Sequence, residues 1–483
     1  MQILKKLFIS LSCVLVLSTS VFSIEDIKIE KGSVLTLNDC IKIALKNNPT
    51  IKNARYNYGI SKASLNMARS EYFPTFGVGT NYNFNGVKNN RVNSGTGAYA
   101  VETTLNQLIW NFGKTNSRIK MEKFYMIADQ YNFENTVREI TFLVKERYYE
   151  VLAARATVII NKAYVDINER NYHRTKAYFD EGVKSKIDLV NAEVLLSDSK
   201  IALVQSEKAY QNTLINLNNA MYITQVPDYK ISSTESFNIK DNVAPVDLSL
   251  ATKKIDKDLS EVPASVKDAK LLSSVEKWDI LDDYEVIKFP YSFEECMKMA
   301  YENRADLKAF NSTLDAVKQN LIYTKRNYYP NLSASAGYGF RDAQNTNSFN
   351  VGVNLSSSVN IMNQKAMVDA AKYQVDIAQN SLDKINQDIF FEVQNAYVDM
   401  INLEKQIPLA QVKVRQTYEN YELAEGRYYV GLGDYIQLQD AKVNYNNAQC
   451  SYIETIYRYN VARANLESVI ALQQEVTITL EDK

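Results

Sequence analysis

The chain has 483 residues, with 55 Lys+Arg against 56 Asp+Glu and a formal net charge of −1. That balance argues against a nucleic-acid partner, which would demand a basic excess or stripe, and 46% hydrophobic residues exclude a disordered chain. A single histidine, His173, removes most histidine-based catalysis and most histidine-ligated metal sites. Tyrosine is the outlier at 33 residues, against 2 Trp and 8 Pro, a composition leaning toward a structural or interface-rich protein.

Residues 1–23 read as a cleavable secretory signal. Lys5 and Lys6 precede an apolar run from Leu7 to Leu17, and Val21-Phe22-Ser23 supplies the cleavage region. The run is shorter than the ~20 residues that span a bilayer. Ser10-Leu11-Ser12 ahead of Cys13 does not form a lipoprotein box, so no lipidation is expected. After residue 23 no stretch has the ~18 consecutive apolar residues of a membrane helix, so any membrane segment has to be a closed set of β-strands. Cys40, Cys296 and Cys450 remain, an odd number that predicts unbridged, mostly buried thiols.

The rest is one unit written twice. A shift of 256 residues aligns 37–84 with 293–340, pairing Cys40 with Cys296, Asn47 with Asn303, Tyr72 with Tyr328, Pro74 with Pro330 and Tyr82 with Tyr338. The shift falls to 250 at Val101/Val351 and to 249 at Val144/Val393, Tyr148/Tyr397, Gly182/Gly431 and Leu189/Leu438. It changes where loops belong, which marks a structural repeat. The predicted layout is a first repeat over 24–226, a linker over 227–292, a second repeat over 293–472 and a tail over 473–483.

Within a repeat the hydrophobic period changes in a fixed order. Leu37–Asn47 and Thr50–Ser70 read as helices, with Pro49 at a helix start. Phe76, Val78, Thr80, Tyr82 and Phe84 then alternate with Gly77, Gly79, Asn81 and Asn83, and a polar loop over 85–97 leads to a second alternating run from Tyr99 to Leu105. The other repeat matches with Leu332 to Phe340 and Phe349 to Leu355. Each repeat therefore carries a hairpin, predicted over about 73–108 and 330–360, with one apolar face for lipid and one Gly/Asn/Ser face for a wet lumen. Residues 114–181 and 364–430 each read as one helix, roughly 100 Å long at ~1.5 Å per residue. Pro408 is expected to kink the second. After Gly182 and Gly431, helices over 186–221 and 435–470 carry small and apolar residues three and four apart, a coiled-coil seam. Residues 50–70 and 186–221 together match the long helix and are expected to stack end to end beside it. The linker is polar and charged, with one short helix expected at Val266–Trp278.

These residues resemble the TolC family of outer-membrane efflux and secretion channels. The likeness rests on Leu37-Asn38-Asp39-Cys40 through Asn47-Asn48-Pro49, on Ala68-Arg69-Ser70-Glu71-Tyr72-Phe73-Pro74, and on Gly182 through Ala192 repeated as Gly431 through Ala441. The resemblance implies a mixed α and β membrane protein and a homotrimer. Four strands per chain would give a 12-stranded outer-membrane β-barrel, continued by a 12-helix periplasmic coiled-coil α-barrel. The linker would then lie in an equatorial collar. Four strands alone cannot close, since about eight is the smallest membrane barrel. The function implied is the exit duct of a tripartite efflux pump or type I secretion system. Its partners would be outer-membrane lipid, a periplasmic adaptor (membrane fusion) protein, and an inner-membrane efflux pump or ABC exporter. A trimeric coiled-coil surface stalk or adhesin is the alternative, although a stalk does not need two matched hairpins.

No catalytic constellation is visible, and no metal or cofactor is expected. Gly182-Val183-Lys184-Ser185 lacks the upstream glycine of a phosphate loop, and His173 reads as a helix-surface residue. By the resemblance, the duct narrows at its periplasmic tip. Asp440 matches an inward carboxylate there, Gln437 stands where the family has a second, and Asp434 and Asp188 lie near the constriction. An N-terminal helix acid meeting the dipole is the competing reading for both Asp188 and Asp440, with the pore role favoured for Asp440. Gly182, Val183, Lys184, Val430, Gly431, Leu432 and Gly433 resemble the surface that adaptors engage.

Overall fold

A computed structural model describes residues 29, 31–89, 92–224, 228–232, 289–341 and 346–472. The expected signal at 1–23, the short helix at 266–278 and the tail over 473–483 lie outside the described residues. In chain order the elements are β1 (Val34–Leu35), α1 (Leu37–Asn47), α2 (Pro49–Ser70), β2 (Thr75–Asn89), β3 (Val92–Trp110), α3 (Lys114–Asp180), α4 (Lys186–Ala220) and β4 (Lys230–Ile231). The second repeat supplies α5 (Phe293–Asn303), α6 (Ala305–Lys325), β5 (Asn331–Arg341), β6 (Thr346–Ser356), α7 (Ile361–Tyr429) and α8 (Tyr435–Val469).

The two repeats start alike for a local reason. The Thr36 hydroxyl and the Asp39 carboxylate close a capping box on α1, and Ser292 and Glu295 do the same on α5. One turn later Cys40 and Cys296 are both fully buried, and no disulfide forms among the described residues. Asn48 caps α2 by accepting from Thr50 N at 2.8 Å, with Pro49 where its missing N–H costs nothing. At the matching point of the second repeat stands Arg304, 3% exposed, ion-paired to Asp306 at 2.5 Å and to Glu392 on α7 at 2.6 Å.

The sheet runs β2-β3-β5-β6, antiparallel throughout. Its register fixes the two faces, because directly opposed residues share a side. Tyr82 opposes Tyr99, Val101 opposes Phe340, and Tyr338 opposes Phe349, so apolar and aromatic residues gather on one face. Asn81 opposes Ala100, Glu102 opposes Gly339, and Gly337 opposes Asn350 on the other. β5 and β6 are 11 residues each, the length of a tilted membrane strand. β2 and β3 are longer. Of the polar loop expected at 85–97, residues 85–89 and 92–97 are instead strand, paired from Phe84/Gly97 out to Asn89/Val92, and residues 90 and 91 lie outside the described residues. Its glycines and asparagines suggested a turn, but the ladder to the partner strand outweighs their low strand propensity. A bulge between Leu108 and Trp110 bends the end of β3. Below it Phe112 stacks on Tyr329 at 5.2 Å and meets Trp110 edge-on at 6.2 Å.

Just below the sheet, an ion pair and hydrogen bonds tie the helix ends to one another. The Glu71 carboxylate accepts from Thr115 Oγ1 at 2.6 Å and from Arg118, while Arg326 donates to Gly113 O at 2.5 Å and Ser117 Oγ at 2.6 Å. Beyond the joint, α3 (67 residues) and α7 (69 residues) are unbroken. α7 continues through Pro408, the expected site of a kink: losing one backbone bond among so many does not end a helix packed along its length. α3 packs on both α2 and α4, and also on α6 and α8 of the other repeat. Each repeat holds its own core. One core centres on Cys40, Leu45, Tyr148 and Leu217, the other on Cys296, Ile389, Met400 and Leu466.

Replacing Arg304 with Met would leave the Asp306 carboxylate, only 15% exposed, without its partner. The expected loss is about 3 kcal/mol, seen as a lower unfolding temperature at neutral pH. Burial opposes ionisation of Asp306, yet the hydrogen bonds and charge of Arg304 hold its carboxyl below the usual 3.8. The pair therefore contributes fully above that value and is lost as pH falls through the folded-state value, so wild type and variant converge in acid.

Candidate functional site at the helical tips

Both coiled coils end in the same turn chemistry. α3 stops at Gly182, φ +75°, with Val183 N donating back to Tyr178 O at 2.8 Å. α7 stops at Gly431, φ +77°, with Leu432 N donating to Arg427 O at 2.9 Å. These bonds satisfy the last helical carbonyls in a left-handed cap that favours glycine. Three residues after each glycine a side chain starts the next helix. Ser185 forms a capping box with Asp188, and Asp434 accepts from Ile436 N at 2.8 Å. Gly433 serves a different purpose: a Cβ there would stand 2.9 Å from Tyr428 N and 3.0 Å from Arg427 C.

The turns present apolar side chains outward. Val183, Ile187, Val430, Leu432 and Ile436 are all exposed. Beneath them Ala192, Tyr428, Tyr435 and Leu438 form a small core of their own. Lys184 Nζ sits 3.8 Å from the centroid of the Tyr428 ring and so bridges the two tips. Arg174 lies over the Tyr429 ring at 4.4 Å, and the Tyr429 hydroxyl donates to Asn171 Oδ1 at 3.2 Å. Burial, reinforced by the nearby charge of Asp188, pushes the Tyr428 hydroxyl up to about 12.

The four sequence-derived acid or amide positions separate into two kinds. Asp188 and Asp434 are engaged in caps; the Asp188 carboxylate accepts from both N and Oγ of Ser185, at 3.2 and 2.8 Å. Gln437 and Asp440, one helical turn apart, share the exposed face of α8, while Leu438, Ala441 and Lys442 turn inward. Among the described residues Asp440 has no hydrogen bond or ion pair and no cluster of three metal-ligating groups exists. His173 is exposed on α3, edge-on to Tyr172. The sequence reading passed over Arg174, Tyr428, Tyr429, Tyr435 and Lys442. The excess of tyrosine was the available signal, since Tyr421, Tyr428, Tyr429, Tyr435 and Tyr445 converge beside this tip.

Residues 40–221 and 296–472 match the description of one protein family, the outer membrane efflux proteins. The chain belongs to the outer membrane efflux protein family. The two matched stretches are the two repeats. A probable efflux pump outer membrane protein, TtgC of Pseudomonas putida, is 21% identical over 431 residues, covering 86% of this chain and 79% of the relative. Outer membrane protein TolC of Salmonella enteritidis is 18% identical over 207 residues, 41% of this chain and 42% of TolC. Among solved structures, CusC superimposes with a TM-score of 0.71 at 14% identity, covering 92% of this chain and 95% of that one. The Campylobacter jejuni CmeC outer membrane channel gives 0.70 at 16% identity, covering 90% and 85%. The expected fold class, paired barrel strands continued by long helices in two tandem repeats, is the fold this outer membrane efflux protein has.

Gly433→Ala forces its methyl against backbone atoms, whereas Gly431→Ala meets open space and strains only φ. The expected cost is about 1 kcal/mol at Gly431 and more at Gly433. Limited proteolysis at the α7/α8 turn measures the order.

Proposed function

We propose that this outer membrane efflux protein is one subunit of a trimeric exit duct. Three sheets would close a 12-stranded barrel in the outer membrane, and three sets of helices would prolong it through the periplasm. The reading is carried by the sheet itself: four strands with one apolar face, and edges β2 and β6 that have no partner strand among the described residues. In hydrocarbon those edges require neighbours, and three copies leave a water-filled lumen. The aromatic residues Trp110, Phe112 and Tyr329 sit where the strands meet the helices, the position of an interfacial girdle. No helix among the described residues is long and apolar enough to cross a membrane.

The duct would work passively. Substrate is handed over by a periplasmic adaptor and an inner-membrane efflux pump or ABC exporter, and the chain supplies a path. The exposed apolar turns at Val183 and at Val430 to Leu432 suit adaptor contact, with Gly182, Lys184, Gly431 and Gly433 shaping them. At the aperture Asp440 contributes one carboxylate per subunit, and a ring of three in a narrow pore concentrates cations. Gln437 on the same face adds no charge. Asp188 and Asp434 fix the helix starts that set the aperture width. The chain would reach the outer membrane through a cleaved, non-lipidated signal at 1–23.

The purified mature protein in a planar bilayer is expected to conduct as a heat-modifiable trimer. Asp440→Asn should lower cation over anion preference by roughly two- to five-fold and Gln437→Asp should raise it. A monomer without conductance would favour the stalk. Unchanged selectivity in both variants would remove the aperture assignment and leave the duct intact.

A further inference from the structure

The contact between α3 and α8 changes character along its length. Near the sheet-side cores, Arg138 reaches Ser468 and Lys145 meets Glu467. Toward the tip most buried residues of α3 are polar: Asn161, Asn168 and Thr175, seven apart, with Asn171 between the last two and Val165 the apolar exception. α8 answers with Tyr435, Lys442, Asn446 and Gln449, all buried. Asn446 Nδ2 donates to Asn161 Oδ1 across this stretch at 3.4 Å. The buried polar groups here are sparsely partnered: the hydroxyls of Tyr164, Tyr428 and Tyr435 have Asn168, Thr175 and Asn171 of α3 beside them, while Nζ of Lys442 has no hydrogen-bond partner among the described residues.

Lys442 is the most costly of these. Lysine is almost never fully buried unless paired, and this one is 3% exposed with no ion pair. The charged groups acting on it are Glu425 on α7, which favours the ammonium, and Arg174 and Arg170 on α3, which oppose it. Asp188 on α4 acts on Tyr428 and Tyr435 instead. The environment therefore holds one acid against two further cations.

We propose that Lys442 is a proton-controlled wedge in the α3/α8 seam: its ammonium form pushes the tip half of α8 away from α3, and its neutral amine lets the helices seat. The inference rests on the reading of the chain as a duct whose tip opens. An ammonium regains water when the helices part, whereas the neutral amine costs far less to bury.

The direction of the pH dependence follows from linkage. Burial pushes Lys442 down from 10.5 to about 8 in the seated arrangement, and separation restores the ordinary value. Seating thus releases protons, and it strengthens as pH rises. At neutral pH the amine is protonated in both arrangements and opposes seating in full. Between pH 7 and pH 10 the seating equilibrium should grow on the order of 10- to 100-fold. The neighbouring tyrosines do not titrate in this window: burial pushes Tyr428 up to about 12 and Tyr421, Tyr429 and Tyr435 higher.

The test measures distance rather than ion flow. Spin labels go on the exposed positions Lys162 of α3 and Asn447 of α8 in the full-length protein, with Cys450 replaced by Ser. Dipolar EPR is then recorded from pH 7 to pH 10. The short-distance population should rise with pH in the protein that retains Lys442. Lys442→Met should stay seated throughout, and Lys442→Arg, charged at every pH used, should stay parted. A pH response that survives in either variant, or no response with Lys442 present, overturns the wedge. Conductance without a Lys442-dependent distance change refutes the wedge alone; the distance change without conductance refutes the duct alone.

Discussion

An edge strand in hydrocarbon leaves a row of N–H and C=O groups with no partner, and each unmade bond there is worth several kcal/mol. Among the described residues the sheet of this outer membrane efflux protein has two such edges, β2 and β6, and its four strands do not close on themselves. Its apolar face excludes the usual remedy of a soluble protein, a helix or loop laid across the edge, because in the described residues the helices leave the sheet from one end only. Under the duct reading, the remaining remedy is another sheet of the same kind. A unit that closes only in a ring would need a second element to set the angle at which copies meet, and the long helices below the joint at Glu71, Arg118 and Arg326 would provide one.

Duplication explains how two hairpins come to lie side by side. β3 of the first repeat pairs with β5 of the second over ten register positions, from Ala100/Arg341 to Trp110/Leu332. That pairing, together with the packing of α3 on α6 and α8, makes one body out of two cores. The repeats differ where they are asked to do different things. Asn48 and Pro49 start α2 with neutral groups, whereas Arg304 starts α6 with a buried charge tied to α7. Charge in that position links the α5/α6 corner to the neighbouring helix, which a capping asparagine cannot do.

The fold was legible because its signals are periodic and occur twice. Alternation from Phe76 to Phe84 and from Leu332 to Phe340, and the three-and-four spacing from Leu189 to Ala220 and from Leu438 to Val469, each found confirmation in the other copy. The loop expected at 85–97 was misread because glycine and asparagine carry the same local signal in a turn and on the wet face of a long strand; the ladder that decides between them is non-local. The tip site was only partly legible. Gly182, Gly431, Asp188 and Asp434 announce themselves by cap and turn chemistry, which is local. Lys442, Arg174 and Tyr429 act through contacts between helices far apart in sequence, and a lysine in a coiled-coil pattern gives no sign that it points inward.

The carboxylates at the tip divide by what they already do. Asp188 and Asp434 accept backbone and hydroxyl hydrogens at helix starts, so their positions are set by the turns. Asp440 carries no such duty and stands on the solvent side of α8, two residues from a lysine that faces the opposite way. α8 is therefore electrically polarised across its width at this level, with negative charge outward and an unpaired amine inward. A rotation or outward swing of α8 would hydrate the amine and shift the carboxylate in one movement. Under the duct reading, the aperture charge and the stability of the seam are then properties of the same rigid helix and cannot be adjusted independently.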